Sequence, residues 1–458
     1  MYKVRVVVFC SLLVCSQLFG QSSDSIMIRK IFNESLENGK AYEWLTDLTE
    51  NIGGRLSGSP QAAHAVEWAK TRMIEAGADT TYLMPVMVPH WIRGEKETGI
   101  IIESNGNKQK VPVVALGNSV ATTKEGISAS VIEVSNFEEL KKLGKENISG
   151  KIIFYNHPFD EKFINTFDAY GEAVKYRWAG PTEAARYGAV ATICRSMTNL
   201  LDDNPHTGAM HYNDSITKIP CFAISTNGAN LLSRILKANK STSFFVQSNC
   251  AMLDSVLSYN VIGEIKGKTF PNEIVVVGGH LDSWDICKGA HDDGAGVVQS
   301  IEIIRSFKSI GIRPARTLRI VCFMNEENGL RGGKVYAAEV DRKKEKQVAA
   351  IESDAGGFLP LGIGLNMEEN EKAKIKKWAP LFFEYGITNF NIEGDGADIS
   401  PMEKLKIPCI GLHVNSQRYF DYHHAVSDSI DKVNKRELHL GSAAMGALAY
   451  LLAQYGLN

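Results

Sequence analysis

The chain has 458 residues, of which 44% are hydrophobic and 22% charged, and its formal net charge is −2. That is enough for two or three domains with real cores. The near balance of charge and the lack of a long basic run exclude nucleic acid and anionic membrane surfaces as partners.

Taken in chain order, the first signal is an address. Lys3 and Arg5 precede a mostly apolar stretch from Val6 to Phe19, followed by Gly20, Gln21, Ser22 and Ser23. This is the layout of a secretory signal peptide over residues 1–20. It is shorter than the roughly 20 apolar residues that a spanning helix needs. Val14 before Cys15 is bulkier than a lipoprotein site carries. The mature chain is therefore expected to be secreted or periplasmic, without a membrane partner. Six cysteines remain after cleavage: Cys194, Cys221, Cys250, Cys287, Cys322 and Cys409. Export permits disulfides, but the wide spacing defines no framework. Cys322, inside an apolar run, reads as a buried thiol. Asn33, Asn147, Asn213 and Asn239 each open an Asn-x-Ser sequon.

Residues 25–36 and 41–52 read as amphipathic helices. Ser59 and Pro60 then start a helix that runs to Ala76, before Gly77. From Thr80 to Leu116 the pattern turns to short β-runs, so residues 21–116 are expected to begin the main domain. Residues 117–247 alternate short strands (130–134, 151–155, 189–194, 221–225) with helical stretches (136–143, 181–187, 228–238). A chain that leaves one core and returns to it predicts an inserted α/β domain. Residues 248–458 are expected to complete the main domain, the one that carries the polar clusters described next. Strands are predicted at 273–277, 316–323, 348–351 and 407–414, with helices at 296–307, 332–340, 371–385 and 435–455. Near-continuous apolar strands of this kind imply an α/β fold with a mostly parallel mixed sheet flanked by helices.

Polar clusters fall where these strands end. Val275-Val276-Val277-Gly278-Gly279-His280 leaves a histidine past one strand, Phe323-Met324-Asn325-Glu326-Glu327 leaves two glutamates past another, and Ile351-Glu352-Ser353-Asp354 repeats the pattern. Ligands of open α/β sheets bind at the carboxyl ends of strands, so these groups should converge. His291-Asp292-Asp293-Gly294 and Tyr422-His423-His424, with Asp428 beyond, lie in loops. Histidines and carboxylates without thiolates suit divalent cations in a hydrolytic site.

In order and spacing, His280-Leu281-Asp282-Ser283, Asp292-Asp293-Gly294-Ala295-Gly296, Glu326-Glu327, Glu352-Ser353-Asp354 and His424 resemble the cocatalytic di-zinc aminopeptidase and carboxypeptidase family. Val88-Pro89-His90-Trp91-Ile92-Arg93-Gly94-Glu95, Gly150-Lys151-Ile152-Ile153-Phe154-Tyr155-Asn156 and Pro205-His206-Thr207-Gly208 are similar to its plasma glutamate carboxypeptidase branch. The resemblance implies two zinc ions per chain, bridged by Asp292. His280 and Asp354 would complete one site, and Glu327 and His424 the other. Glu326 would be the general base, and Asp282 would hold the ring of His280. The inserted unit would be a protease-associated domain. Small unblocked peptides, dipeptides above all, would be the substrates, and a homodimer is implied. The loop Asp395-Gly396-Ala397-Asp398 resembles one that shapes the specificity pocket, whereas Ile399-Ser400-Pro401 departs from it.

Each feature also has a plainer reading. Asp-Asp-Gly is commonly a turn, which is the reading taken for Asp293. His291 and His413 read as structural. His423 is either a neighbour of His424 or a contact to the substrate carbonyl. His206 is either a substrate-contacting loop residue or part of a turn. For substrate termini, Glu326 and Glu352 are the candidates to meet an ammonium group and Arg418 a carboxylate. Two other classes compete: a binding protein on an inactive peptidase scaffold, and a di-metal hydrolase of non-peptide esters or amides. The presence of Glu326 beside all five ligands argues against the first.

Overall fold

In the computed structural model, strand 316–323 is buried along its whole length, its two arginines, Arg316 and Arg319, being paired with carboxylates. It sits inside an eight-stranded sheet whose strand order is Thr80–Ile92, Ala251–Ile265, Arg316–Phe323, Phe270–His280, Lys346–Glu352, Cys409–Val414, Pro360–Asn366 and Asn389–Ile392. Residues 23–394 and 396–457 are described; the expected signal peptide, Asp395 and Asn458 lie outside them. The four central strands, from Arg316–Phe323 to Cys409–Val414, are parallel. Antiparallel neighbours flank them. The sheet is thus mixed with a parallel centre.

Successive strand side chains point to opposite faces, and the two cores follow that alternation. Val275 and Val277 pack with helices Pro60–Ala76, Ala295–Ser309 and Lys435–Tyr455. Val276 packs on the other face with Tyr336 and Val340 of helix Arg331–Lys343. Ser59 caps Pro60–Ala76 by accepting from Ala62, and Gly77 ends it in the left-handed conformation. The helix expected to reach Tyr385 stops as an α-helix at Trp378. Pro380 lacks the amide donor and its ring disfavours helix before it, so two 3₁₀ turns, Ala379–Leu381 and Phe383–Tyr385, follow. No helix among the described residues is long and apolar enough to cross a membrane.

A second eight-stranded sheet is ordered Lys108–Val111, Thr98–Ile102, Ser243–Gln247, Ile127–Val134, Ile152–Tyr155, Ala191–Arg195, Cys221–Ile224 and Val113–Ala115. It therefore takes in residues from Thr98 onward, earlier than the boundary expected at 117. Ile101, Val111, Val113 and Ala115 bury their side chains against Phe222 and Phe244 of this unit, not in the catalytic core. The chain enters and leaves through one antiparallel ribbon, with Thr80 opposite Glu264 and Ile92 opposite Ala251. Its helix Thr166–Trp178 was not foreseen from sequence.

The two units meet on both sides of a crevice. On one side Trp284 and Cys287 join the core of the second unit. Gly117 makes this contact possible, because a Cβ there would lie 1.8 Å from the Trp284 ring. On the other side Tyr419 and Phe420 pack among Phe159, Ala173 and Tyr176.

Candidate active site

Strand register gathers the chemistry. His280 pairs with Phe323, and Gly278 pairs with Glu352. Glu326, Glu327 and Asp354, just past those partners, therefore emerge at the same carboxyl edge as His280. Asp292 comes from the loop before helix Ala295–Ser309, and His424 from the loop before Asp428.

All five expected ligands come together. His280 Nε2 lies 3.2 Å from Asp292 Oδ1 and 3.5 Å from Asp354 Oδ1. His424 Nε2 lies 3.2 Å from Asp292 Oδ2 and 3.1 Å from Glu327 Oε2. Asp292 thus divides its two oxygens between two groups. His423 belongs here too: its Nε2 is 3.7 Å from Asp292 Oδ2, and its ring stacks on His424 with centroids 3.5 Å apart.

Both of these histidines, His280 and His424, are aimed by backbone carbonyls. His280 Nδ1 donates to the main-chain oxygen of Asp282 at 2.9 Å, and His424 Nδ1 to that of Thr207 at 3.2 Å. Donation from Nδ1 leaves each Nε2 free to bind a cation. The expected role of Asp282 is therefore corrected. Its carbonyl, not its carboxylate, holds the His280 ring. The carboxylate accepts the backbone N–H groups of Asn325 (2.6 Å) and Glu326 (3.1 Å), because the chain turns there and leaves both amides pointing inward.

Other residues keep the loops in place. Asp428 accepts from the backbone amides of His291 (2.8 Å) and Asp292 (3.2 Å). Asp293 accepts from His280 N and Gly296 N, both at 3.0 Å, which is the turn role expected of it. His291 stacks on Phe358 at 4.2 Å, a structural role as read from sequence. Arg55 was missed. It is wholly buried and donates to Leu281 O (2.6 Å), Lys288 O (2.8 Å) and Gly289 O (3.0 Å), tying the segment after His280 to the one before Asp292. A clue lay in Gly53-Gly54 before a lone arginine: a Cβ on Gly54 would sit 2.5 Å from Asp285 O.

Two expectations for substrate contacts change, those for Glu352 and Arg418, and His206 is found buried. Glu352 is buried and accepts from Asp398 N (3.3 Å) and Ile399 N (3.0 Å); burial, then Asp354 beside it, pushes its carboxyl up to about 8. Arg418 is bonded to the Tyr422 hydroxyl and Asp421 and does not line the crevice. His206 is buried beside His424, and burial holds its imidazole down to about 3. It lies in the loop that delivers Thr207 to His424.

The electrostatics call for cations. Burial pushes Glu327 up to about 7, with Asp292 adding to the effect. Burial would lower the His424 imidazole, but Glu327 and Asp292 outweigh it and raise it to about 10. The same balance, with Asp292 and Asp354 as partners, raises His280. Protons on these rings stand where positive charge is needed, and metal binding would displace them. Asp292 Oδ2 and Glu327 Oε1 are buried without a hydrogen bond, and ligand atoms of His280, Asp292 and Asp354, like those of Asp292, His423 and His424, lie within 4.8 Å of one another. The donor set fits divalent zinc. Glu326 points into the same space outside both groups; burial, then Asp354 and Glu327, raises its proton affinity.

A mixed sheet carrying such a cluster at its carboxyl edge defines a metallohydrolase of the exopeptidase fold. The description of peptidase family M28 matches residues 260–449. Carboxypeptidase Q of Xenopus laevis is 36% identical over 417 residues, covering 90% of this chain and 86% of that protein. Carboxypeptidase Q of Homo sapiens is 33% identical, covering 90% and 85%. The solved peptidase M28 precursor of Shewanella amazonensis superposes with a TM-score of 0.90 at 32% identity, over 95% of this chain and 97% of that one. A zinc aminopeptidase of Bacillus subtilis shares the fold, with a TM-score of 0.66 at 18% identity over 92% and 96%. The chain belongs to peptidase family M28, in its carboxypeptidase Q branch. It is a zinc-dependent exopeptidase.

Proposed function

We propose that the enzyme, once exported, binds two zinc ions per chain and hydrolyses the peptide bond of small unblocked peptides, dipeptides foremost. The division of Asp292 between His280 and His424 carries the two-ion reading. His280, Asp292 and Asp354 would hold one ion, and Asp292, Glu327 and His424 the other. Bound zinc would supply Lewis acidity toward the scissile carbonyl and a more acidic water. Glu326 takes the proton of the attacking water on its carboxylate and returns it to the leaving amine. Its backbone, fixed by the Asp282 carboxylate, keeps that carboxylate facing the crevice.

Substrate size is supported by the crevice, about 430 Å³ and walled on one side by the second unit. That lies near the lower end of the ~300–1,000 Å³ usual for ligand pockets. The second unit in this reading is a protease-associated domain that roofs the site. A second reading is an aminopeptidase that trims longer peptides from the N-terminus. It is favoured by a neighbouring cavity of about 850 Å³ that shares Asn328, Gly329 and Lys334 with the crevice.

The test is Glu326→Gln, which keeps shape but accepts no proton at neutral pH. Zinc content should stay near that of the wild type while turnover falls by at least about 10²-fold. Sustained turnover by the zinc-loaded variant would overturn the base assignment. Comparing kcat/KM for a dipeptide and a pentapeptide decides between the two substrate readings.

A further inference from the structure

Helix Thr166–Trp178 of the second unit lays Phe167, Tyr170, Arg177 and Trp178 along the crevice wall opposite the metal ligands. Their spacing is that of one helical face. Arg177 is 7% exposed, yet no carboxylate among the described residues lies within 4.0 Å of its guanidinium. Arg93 and Arg319 are similarly buried, and each holds two carboxylates. Arg55 has none, but three carbonyls saturate it. Arg177 differs from all of these. Nη2 donates to the Tyr170 hydroxyl at 2.6 Å, Nη1 reaches Thr207 O only at 3.4 Å, and Nε has no partner. His424 Nδ1 is 3.5 Å away, but it already donates to Thr207 O and offers no lone pair.

The guanidinium is also held in place. Tyr170 stacks on Phe420 at 4.8 Å, which fixes the hydroxyl that binds Nη2. Gly208 leaves room behind it: a Cβ there would lie 2.4 Å from Arg177 Cζ. A buried, positioned cation without a counter-ion is costly unless an anion completes it. The planar fork of arginine matches a carboxylate in particular.

We propose that Arg177 binds the α-carboxylate of the substrate. The assignment rests on the reading of the chain as a peptidase of small unblocked peptides, and it names the group that makes a free C-terminus a requirement. Arg177 sits beside the ring of His424. At ~3.8 Å per residue, a carboxylate held there belongs to the residue directly after the scissile bond. Arg177 is thus a specificity residue supplied by the second unit, and it sets the length of chain accepted beyond the cut. Arg418, the arginine nearest the site in sequence, does not serve.

The experiment compares kcat/KM of the zinc-loaded full chain for alanyl-leucine and its C-terminal amide. The wild type should prefer the free acid by roughly 10²-fold or more, since a site built for a charged partner is left unpaired by its analogue. In Arg177→Met that ratio should fall at least tenfold, mostly through KM for the acid. Arg177→Lys should lie between the two, and Tyr170→Phe should lower the ratio while the charge remains. Because each enzyme is its own reference, a general loss through Thr207 and His424 cancels. If Arg177→Met turns over neither compound, calorimetric binding of leucine against leucinamide supplies the same ratio. An unchanged ratio in Arg177→Met overturns the assignment and leaves the proposed function intact, whereas a wild type that cleaves acid and amide equally overturns the assignment together with the free C-terminus and leaves only the peptidase activity. A zinc-loaded wild type that cleaves neither compound overturns both.

Discussion

Asp282→Asn separates two roles that adjacent atoms of one residue perform. The Asp282 carboxylate is wholly buried, and one of its oxygens accepts both Asn325 N and Glu326 N, at 2.6 and 3.1 Å. Hydrogen bonds to a charged acceptor contribute about 1.5–3 kcal/mol each and neutral ones about 0.5–1.5. Neutralising the side chain therefore weakens the pair by about 2 kcal/mol in total. If all of that is felt in the transition state through Glu326, kcat falls roughly 30-fold. Zinc content should not change, because His280 Nδ1 is held by the Asp282 main-chain carbonyl, which the substitution leaves in place. Elemental analysis and kcat at saturating peptide, measured on the same preparation, provide the assay. If zinc is lost in step with activity, the carboxylate orients the ring after all. An unchanged kcat would show that the two amide contacts do not position the base.

Three further outcomes follow from the packing. Asp292→Ala should lose both zinc equivalents, because its two oxygens serve both groups, whereas Asp354→Ala should lose only one; full loading of the Asp292 variant by elemental analysis would refute the bridge. Gly117→Ala pushes a methyl to 1.8 Å from the Trp284 ring and should cost about 1–3 kcal/mol of stability, read by urea denaturation; an unaltered midpoint would mean that the ring can move aside. Glu273 is held below its usual 4.5 by Lys346, with Arg316 helping against burial. Its folded pKa is thus depressed, so its contribution is complete above about 4.5 and is lost as pH falls through the lower folded value. Glu273→Gln should therefore flatten the acid limb of stability against pH, and an identical limb would contradict that ion-pair account.

Local signals account for much of what the chain displays before folding is considered. Ser59 before Pro60 and Gly77 after Ala76 start and stop a helix by satisfying its terminal amides and carbonyls. The apolar run Ile320–Phe323 demands burial on both faces. His280 ends one strand, and Glu327 and Asp354 come shortly after two others, so strand register carries them to one edge. Pro360–Asn366 was illegible because Pro360, Gly362 and Gly364 are poor strand residues, and only pairing with Cys409–Val414 makes them one.

Sequence by itself thus determined which residues could bind cations and the order in which strands would present them, because those properties belong to side-chain chemistry and to short-range periodicity. It could not determine where a side chain points once several partners are within reach. Only the tertiary structure turned the Asp282 carboxylate to the amides of Asn325 and Glu326 and left its carbonyl for His280. Only the docking of the second unit brought Thr207 to His424, 217 residues away, and Arg177 to the crevice in place of Arg418. Hydrogen-bond geometry and the exclusion of water from a buried cation are set by packing between distant segments, which no local stretch of the chain contains.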